Sequence, residues 1–535
     1  MKIILLNNKL QGNLVYFATV FVLIIIILWA NYLPLVDLPQ HAGQVAALDD
    51  ILKNQNHPWS SNIAVNWDTP YLLGYSLILA LYQVFEINTA INITVVVAFL
   101  SFLYTSYLLR KAYDASKMVD WIAIPSFFGF AFEWGFLTFI LAFSIGLFFF
   151  LVNKQWVDSK KIQYLPIILI LGVTLYFSHI LIFAFFCYLS YFYYLLSECI
   201  KKNNDNYFFK LPRLKAFLQL TSIYLFFALL LVRYVSKEDS LIMAYGAIDG
   251  YQTNVITFTS IFEKFLELLY LPWSMSPTAI SDNLMAVFGI IILLLPIILG
   301  YKIRKSLRFY FPLMAFLIMW LILPDRAFNT SFIYQRYASL FFIFYFLIWD
   351  PLSVQKLRPR QILEIWNFRY LICAVIIGGV ILKTPYNIIQ FNKDAETLEF
   401  TRLIQEMKPN SRIAYFLDND QKSSTQTISK INYIYLPLWY QAKYHGWADF
   451  NFAWFLPQIV RYKTDSVSEV TGMNYGNAID NIINLRSCKL YDYIIVKTLL
   501  PIEAIQMAMV NSHCKEMNFE IKQQGHWIAI NLREK

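Results

Sequence analysis

The sequence predicts a polytopic α-helical membrane protein with a C-terminal α/β domain, and three observations support this fold class. Of the 535 residues, 58% are apolar and only 15% are charged, whereas typical soluble proteins carry about 25% charged residues. Several apolar runs reach the roughly 20 residues that a helix needs to cross a bilayer. From about Thr384 the composition becomes that of an ordinary soluble protein. We therefore expect a membrane domain over residues 1–386 and a soluble domain over residues 387–535.

The apolar runs predict about eleven crossings, with thirteen as the alternative. The first run, Leu14 to Leu33, is too long for a signal-peptide core and lacks a small-residue cleavage site, which indicates an uncleaved anchor. Residues 332–349 form one of the later predicted spans. The run at 71–86 is interpreted as a re-entrant or interfacial helix, because every later basic loop then falls on one side. Either odd number of crossings places the C-terminal domain on the same side of the membrane as the polar loop at 34–70.

The net charge of +9 is explained by membrane topology and not by nucleic-acid binding. The predicted cytoplasmic loops hold 21 Lys and Arg residues, and the loops on the opposite side hold six. This bias follows the positive-inside rule. We therefore expect no nucleic-acid partner and a multi-pass protein of the bacterial inner membrane, with the loop at 34–70 and the C-terminal domain extracytoplasmic.

The loop at 34–70 begins with a predicted helix from Leu38 to Asn54. Asp37 suits the N-cap position, and Pro39 falls in the first turn, where its missing N–H does no harm. Apolar residues recur at helical spacing on one face only. That pattern is typical of a helix that lies along a membrane surface.

The C-terminal residues predict alternating helices and short buried strands. The helix-like segments are Ala395–Met407 and Pro501–Val510, and the strand-like segments are Ile413–Leu417, Tyr491–Val496 and Trp527–Ile530. Cys488 and Cys514 are the two cysteines of this domain. They could form a disulfide if the domain faces an oxidising compartment.

Polar residues at the extracytoplasmic ends of the predicted spans are the candidate site residues. Charged groups at membrane depth are costly and usually mark a pathway or a site. They come from distant segments but fall on one side of the membrane: Asp37, His41, Glu133, His179, Arg326 and Arg336.

Each candidate also has a plain structural interpretation. Asp37 could serve only as an N-cap, and His179 as a hydrogen-bonded packing residue. Glu133 could sit in the hydrated headgroup layer. Arg326 could pair with its neighbour Asp325 or bind ordinary lipid phosphates. Arg336 is harder to explain in this way, because inserting an arginine into the membrane within an apolar span costs a few kcal/mol.

The spacing of acidic residues does not support a metal site, although a divalent metal stays an alternative. Asp49 and Asp50 lie about 18 Å beyond Asp37 along a continuous helix, whereas metal ligands must all lie within about 2.6 Å of the ion. Glycine-rich phosphate loops, zinc-type cysteine clusters and nucleophile elbows are absent from the sequence.

Four short stretches resemble the GT-C superfamily of membrane glycosyltransferases, in particular a poorly characterised bacterial group. They are Asp37-Leu38-Pro39-Gln40-His41, Glu133-Trp134-Gly135-Phe136-Leu137, Ser178-His179, and Gln335-Arg336-Tyr337, which follows a Pro-Asp-Arg turn. The resemblance covers most of the membrane domain and, more loosely, the C-terminal domain. It implies a sugar donor carried on a polyprenyl phosphate and an unidentified envelope acceptor.

The resemblance also implies roles for individual residues. Asp37 would be the catalytic base or would orient the acceptor, with His41 beside it in the same motif. Arg336 and Arg326 would bind the donor phosphate, and the enzyme would work in contact with membrane lipid. Two other functions remain open on sequence grounds: a transporter or flippase of a lipid-linked or small polar substrate, and a non-catalytic envelope scaffold.

Overall fold

The computed structural model describes residues 2–54, 56–203, 206–245, 256–275, 281–327, 330–351, 359–418, 430–455, 457–463, 475–476, 478–485 and 488–533. Over these residues the α-helices are α1 (Lys2–Trp29), α2 (Leu38–Lys53), α3 (Leu72–Tyr82), α4 (Ile87–Ala112), α5 (Met118–Phe127), α6 (Phe130–Glu133), α7 (Leu137–Ser159), α8 (Tyr164–Tyr176), α9 (Ile180–Cys199), α10 (Leu214–Tyr245), α11 (Ile261–Tyr270), α12 (Ser281–Ile298), α13 (Phe311–Ile322), α14 (Phe341–Leu347), α15 (Pro359–Asp394), α16 (Thr397–Gln405), α17 (Leu438–Tyr444), α18 (Ala478–Ile483) and α19 (Ile502–Asn511).

The β-strands are shorter, and the longest of them lie in the C-terminal third. They are β1 (Ile63–Val65), β2 (Ile200–Asn203), β3 (Asn206–Phe209), β4 (Lys302–Ile303), β5 (Arg326–Ala327), β6 (Thr330–Ser331), β7 (Trp349–Asp350), β8 (Arg412–Asp418), β9 (Trp447–Ala448), β10 (Val460–Tyr462), β11 (Tyr475–Gly476), β12 (Tyr493–Lys497), β13 (Asn518–Gln524) and β14 (Trp527–Arg533).

The chain divides into two compact units by its internal contacts. The first unit comprises Met1–Trp29, Ile93–Ser240 and Gln252–Thr384. The second comprises Ala30–Asn92, Leu241–Tyr251 and Pro385–Lys535. The sequence places the loop at 34–70 with the membrane domain, whereas in the structure it belongs to the same unit as the C-terminal residues.

Six helices within the described residues are long and apolar enough to cross a membrane. They lie at Gly12–Trp29, Ile87–Ala112, Leu137–Ser159, Ile180–Cys199, Leu214–Lys237 and Ala374–Asp394. Shorter apolar helices lie at Leu72–Tyr82, Tyr164–Tyr176, Leu284–Ile298 and Phe311–Ile322. Helix α3 has 11 residues and rises about 16 Å, too little to cross the roughly 30 Å hydrocarbon layer. This length agrees with its interpretation as a helix that does not span.

The predicted span at 332–349 differs from the structure. A six-residue 3-10 helix over Gln335–Leu340 is followed by the seven residues of α14. Together they rise about 22 Å, which is short of a full crossing. Most of their side chains are buried within the first unit. The run is apolar because it packs inside the protein, a cause that hydropathy cannot distinguish from contact with lipid.

The second unit is built on a six-stranded mixed sheet. Its strand order is β11-β8-β12-β14-β13, and β9 also pairs with β8. Strands β8 and β12 are parallel, whereas β12, β14 and β13 are antiparallel. Helices α18 and α19 contribute to the hydrophobic core against this sheet, and Cys488 and Cys514 lie in the same core. These two cysteines are joined in a disulfide with their Cα atoms 5.5 Å apart.

The first loop is an integral part of this second unit. Strand β1 pairs antiparallel with β10, from Ile63 opposite Tyr462 to Val65 opposite Val460. Helix α2 packs against α17, and Gln441 on α17 donates to the Gly43 carbonyl at 3.1 Å. All residues from Leu38 to Asp49 are buried, including polar ones. The expectation that this helix lies along a membrane surface is therefore wrong, because protein covers its polar face.

Candidate active site

Asp37 directly precedes α2 and does not act as a side-chain cap. It occupies the N-cap position in a helical backbone conformation, with φ −86° and ψ −2°, and its side chain makes no capping hydrogen bond. An effective N-cap normally has an extended backbone, which directs its side-chain oxygen to the first free N–H groups. The carboxylate of Asp37 is half-buried and close enough to Tyr75 to interact with it electrostatically.

His41 lies one turn further along α2 and is 4% exposed. Its Nδ1 atom is 3.0 Å from the hydroxyl of Tyr75 on α3. That hydroxyl in turn donates to Oε1 of Gln458 in a short hydrogen bond. The ring of Phe452 meets the His41 ring edge to face, with centroids 5.2 Å apart. His41 thus contacts Tyr75 and Phe452, and Tyr75 is in turn held by Gln458.

Asp49 and Asp50 are engaged in contacts of their own near the end of α2. Asp49 accepts from Lys53 Nζ at 2.8 Å and from Gln83 Nε2 at 2.9 Å. Asp50 is 2.7 Å from His445 Nδ1 and 3.7 Å from His57 Nε2. The hydrogen bond that His445 donates to Asp50 raises the pKa of His445 above its ordinary 6.5, against the opposing effect of burial. Within the described residues, no group of three His, Cys, Asp or Glu could hold a metal ion.

In the first unit, Arg336 lies on an aromatic platform. Its guanidinium carbon is 3.7 Å from the centroid of the Phe136 ring. Nε and Nη2 donate to the backbone carbonyls of Phe332 and Ser331 at 3.2 and 3.0 Å. Phe332 has φ of 59°, an unfavourable value for a residue with a bulky side chain, and its ring packs on Trp134 with centroids 4.6 Å apart. These contacts fix the orientation of the guanidinium.

His179 begins α9, and its Nδ1 accepts the backbone N–H of Leu181 at 3.3 Å. Phe139 packs edge to face against His179, with centroids 5.0 Å apart, and also against Tyr337 at 5.4 Å. The Tyr337 hydroxyl donates to the Leu181 carbonyl at 2.6 Å. The motifs around Trp134, His179 and Arg336, which are far apart in sequence, therefore meet in one aromatic cluster.

Glu133 and Arg326 lie in the same unit but have different partners. Glu133 forms an ion pair with Lys383 at 2.6 Å and accepts the backbone N–H of Met275, also at 2.6 Å. It thus anchors the turn after α11. Arg326 lies in β5, and its half-buried guanidinium makes no hydrogen bond with another described residue. The carboxylate of Asp325 instead accepts from Gln335 Nε2 at 2.5 Å.

The six candidate residues are thus divided between the two units. Asp37 and His41 belong to the second, and Glu133, His179, Arg326 and Arg336 to the first. Within each unit the structure brings predicted residues into shared clusters. A single site built from both sets stays a prediction.

Sequence reasoning missed Tyr75, Gln458 and Lys383. Tyr75 lies in an apolar run, where its hydroxyl carries no distinctive signal among 36 tyrosines. Gln458 and Lys383 are single polar residues without a motif around them. Only the fold shows that Tyr75 contacts His41, that Gln458 contacts Tyr75 and that Lys383 pairs with Glu133.

The long apolar helices, together with the second unit and its mixed sheet, define a multi-pass membrane protein. A solved structure of ArnT from Cupriavidus metallidurans bound to undecaprenyl phosphate matches with a TM-score of 0.52. The match has 11% sequence identity and covers 97% of this chain and 98% of the ArnT chain. The sequence matches no family model and no curated protein. The structural likeness shows that the two chains share a fold and confirms the predicted fold class.

Proposed function

We propose that this protein is a membrane glycosyltransferase that moves a sugar from a polyprenyl-phosphate-linked donor to a cell-envelope acceptor. The observation that carries this proposal is the end-to-end likeness to ArnT, whose structure holds undecaprenyl phosphate, a polyprenyl phosphate. The proposal places the reaction on the extracytoplasmic face of the inner membrane. The positive-inside charge bias supports that placement.

In the proposed reaction, Asp37 is the general base. It takes the proton of an acceptor hydroxyl as that oxygen bonds to C1 of the sugar. The bond from C1 to the phosphate oxygen breaks with its electron pair, and polyprenyl phosphate leaves. The position of Asp37 at the start of α2, in the first polar loop after α1, supports this role.

Arg336 is proposed to bind the departing phosphate, with Arg326 as a second cation. A cationic group at that point stabilises the negative charge that develops as the bond breaks. The platform of Phe136 and the two backbone carbonyls hold the guanidinium in one orientation, which favours bidentate recognition of phosphate. Glu133 and His179 are proposed to maintain the surrounding packing. The proposal includes no metal ion.

Asp37→Asn should lower sugar transfer by a factor of about 10² to 10⁴, the usual contribution of a general base. The measurement is transfer of radiolabelled sugar from its polyprenyl-phosphate carrier to acceptors in cell-envelope membranes that contain the overproduced protein. Asp49→Asn is the matched control, because it removes a carboxylate from the same helix that pairs with Lys53 and Gln83. We expect Asp49→Asn to retain activity within about twofold, as for other partly exposed ion pairs.

Full activity of Asp37→Asn would overturn the site assignment. Failure of the wild-type protein to release sugar from any polyprenyl-phosphate donor would overturn the glycosyltransferase function itself. Movement of the intact labelled lipid between leaflets, without sugar transfer, would instead identify a flippase.

A further inference from the structure

The hairpin of β2 and β3 connects two helices that are long and apolar enough to cross the membrane. Helix α9 ends at Cys199, β2 begins at Ile200, and the next candidate span begins at Leu214. The backbone N–H of Lys210 donates to the Cys199 carbonyl at 2.8 Å, and Phe209 pairs with Ile200. Because each strand has four residues, the hairpin extends at most about 13 Å beyond the end of α9. Its base therefore lies at the boundary between membrane and water.

Large apolar side chains are exposed at this connection. Phe209 is 72% exposed, Leu211 75% and Leu214 70%. Phe208 is also exposed, and it points to the opposite face of β3 because side chains alternate along a strand. An isolated two-stranded hairpin is at best marginally stable in water, and contiguous exposed apolar side chains usually mark an interaction surface. This pattern indicates that the hairpin lies against an apolar phase.

Exposed cations alternate with these apolar residues. They are Lys210, Arg213, Lys215 and, from the loop before α13, Lys305. The hydroxyl of Tyr207 donates to the carbonyl of Lys305 at 3.0 Å, which holds this second loop against the hairpin. We call the four cations, together with Phe208, Phe209, Leu211 and Leu214, the hairpin surface.

The charge of the hairpin surface is positive. From residue 200 to residue 215 the sequence has five Lys or Arg and one acidic residue. Acidic side chains on the neighbouring helices α7 and α9 have cations of their own: Asp158 pairs with Lys154 at 2.7 Å, and Glu198 pairs with Lys160 at 2.8 Å. The hairpin surface therefore fits a partner that carries negative charge.

The position of the hairpin surface indicates the kind of partner. Aromatic side chains and Lys or Arg at the ends of membrane spans anchor in the headgroup layer. Basic residues next to a span are attracted to anionic lipids, and the attraction falls off within a Debye length of the membrane surface. A bilayer that contains anionic phospholipid supplies both the apolar phase and the negative charge at this place.

We propose that the hairpin surface is a binding site for anionic phospholipid. Phe209 and Leu211 enter the outer part of the acyl-chain layer, and the four cations contact the negative headgroups. The proposal requires that the chain is inserted in a membrane, and it does not depend on the proposed glycosyltransferase function.

Lipid cross-linking tests the site without any assay of activity. The full-length protein carries p-benzoylphenylalanine in place of Phe209 and is reconstituted in vesicles of equal parts phosphatidylglycerol and phosphatidylcholine. We expect cross-links to phosphatidylglycerol to exceed those to phosphatidylcholine by about fivefold or more, the effect of one Lys or Arg beside an anionic surface. The matched position is Phe226, an exposed residue further along α10, where the two lipids should react equally.

Equal cross-linking to the two lipids at position 209 would overturn the proposal. A preference for phosphatidylglycerol of the same size at position 226 would also overturn it, because the preference would then belong to the whole lipid-facing surface. In cell membranes, cross-linking of position 209 to another protein instead of lipid would identify a protein partner and reject the lipid site.

Removal of charge tests the role of the cations. The triple variant Lys210→Gln, Arg213→Gln and Lys215→Gln should lower the preference for phosphatidylglycerol at position 209 to less than about twofold. The matched control is Lys408→Gln, Lys489→Gln and Lys515→Gln, which removes the same charge from exposed positions in the second unit and should keep the preference. An unchanged preference in the hairpin variant, or an equal loss in the control, would contradict the proposal.

Discussion

At the scale of single residues, the polar side chains of α2 differ in how the protein satisfies them. Gln40 is 1% exposed, and neither its amide nitrogen nor its amide oxygen has a hydrogen-bond partner among the described residues. Gln44, one turn later, accepts the backbone N–H of Val460 through Oε1 at 2.9 Å. A buried polar group without a partner costs about 1–3 kcal/mol. Nε2 of Gln44 also lacks a partner among the described residues, but its Oε1 satisfies the Val460 N–H, so the two glutamines differ in their expected effect on stability.

Gln40→Met should stabilise the protein, because it removes two unpaired polar atoms and conserves volume. Gln44→Met should destabilise it, because the N–H of Val460 would be left buried and unpaired. Each change should be about 1–3 kcal/mol in the free energy of unfolding. The measurement is thermal unfolding of the purified protein in detergent. A lower melting temperature for Gln40→Met than for Gln44→Met would contradict this account.

At the scale of elements, α2 and α17 are joined by an ion pair at their ends. His445 follows α17 with φ of 56°, and its Nδ1 is 2.7 Å from Asp50. The pair stabilises the protein only while the imidazole is charged. Because folding raises the pKa of His445, the stabilisation is fully present below about pH 6.5 and is lost as pH rises through the raised value.

His445→Asn should therefore lower the melting temperature more at pH 5.5 than at pH 9. Asparagine is the suitable replacement because it tolerates the left-handed backbone conformation at this position. The effect should be small, since the His445 side chain is 42% exposed to solvent. The measurement is the difference in melting temperature between wild type and variant at the two pH values. An equal or larger difference at pH 9 would contradict the proposed charge pair.

At the scale of the whole molecule, the disulfide in the second unit bears on the compartment that this unit faces. Cys488 and Cys514 are 26 residues apart, and a cross-link that closes a loop of this length contributes about 3–4 kcal/mol. Disulfides persist in oxidising compartments and are rare in the cytosol. The bond supports the proposed extracytoplasmic placement of this unit.

Replacing both cysteines with alanine should destabilise the protein by about 3–4 kcal/mol, measured by thermal unfolding. Cys187→Ala is the control, because it removes a buried thiol that is free of any disulfide. Maleimide labelling of denatured, non-reduced protein from cells should modify neither Cys488 nor Cys514. Modification of both would contradict the disulfide and weaken the proposed topology.

The sequence predicted those helices and strands that depend on local residue pattern and composition. The helix expected over Leu38–Asn54 is observed over Leu38–Lys53, and the strand expected over Ile413–Leu417 is observed over Arg412–Asp418. Local pattern did not predict that three of the motifs meet in one cluster around Phe136 and Phe139.

Sequence could not predict what depends on contacts between distant segments. Tyr75, which contacts His41, lies 34 residues further along the chain. Gln458, which accepts from Tyr75, lies another 383 residues beyond it. The buried position of α2 depends on pairing with residues near 441 and 460. An amphipathic pattern shows that one face is apolar, but it does not show whether lipid, water or another segment covers the helix.

The pairing of β1 with β10 also determines when the first loop can fold during synthesis. Ile63 leaves the ribosome about 400 residues before its partner Tyr462. At about 5–20 residues per second, the loop waits for roughly 20–80 seconds while the membrane helices are inserted. During that time His41, Gln44 and the rest of α2 lack the protein that later covers them. Nascent chains stalled before β10 should therefore expose this loop to added protease, whereas completed chains should not.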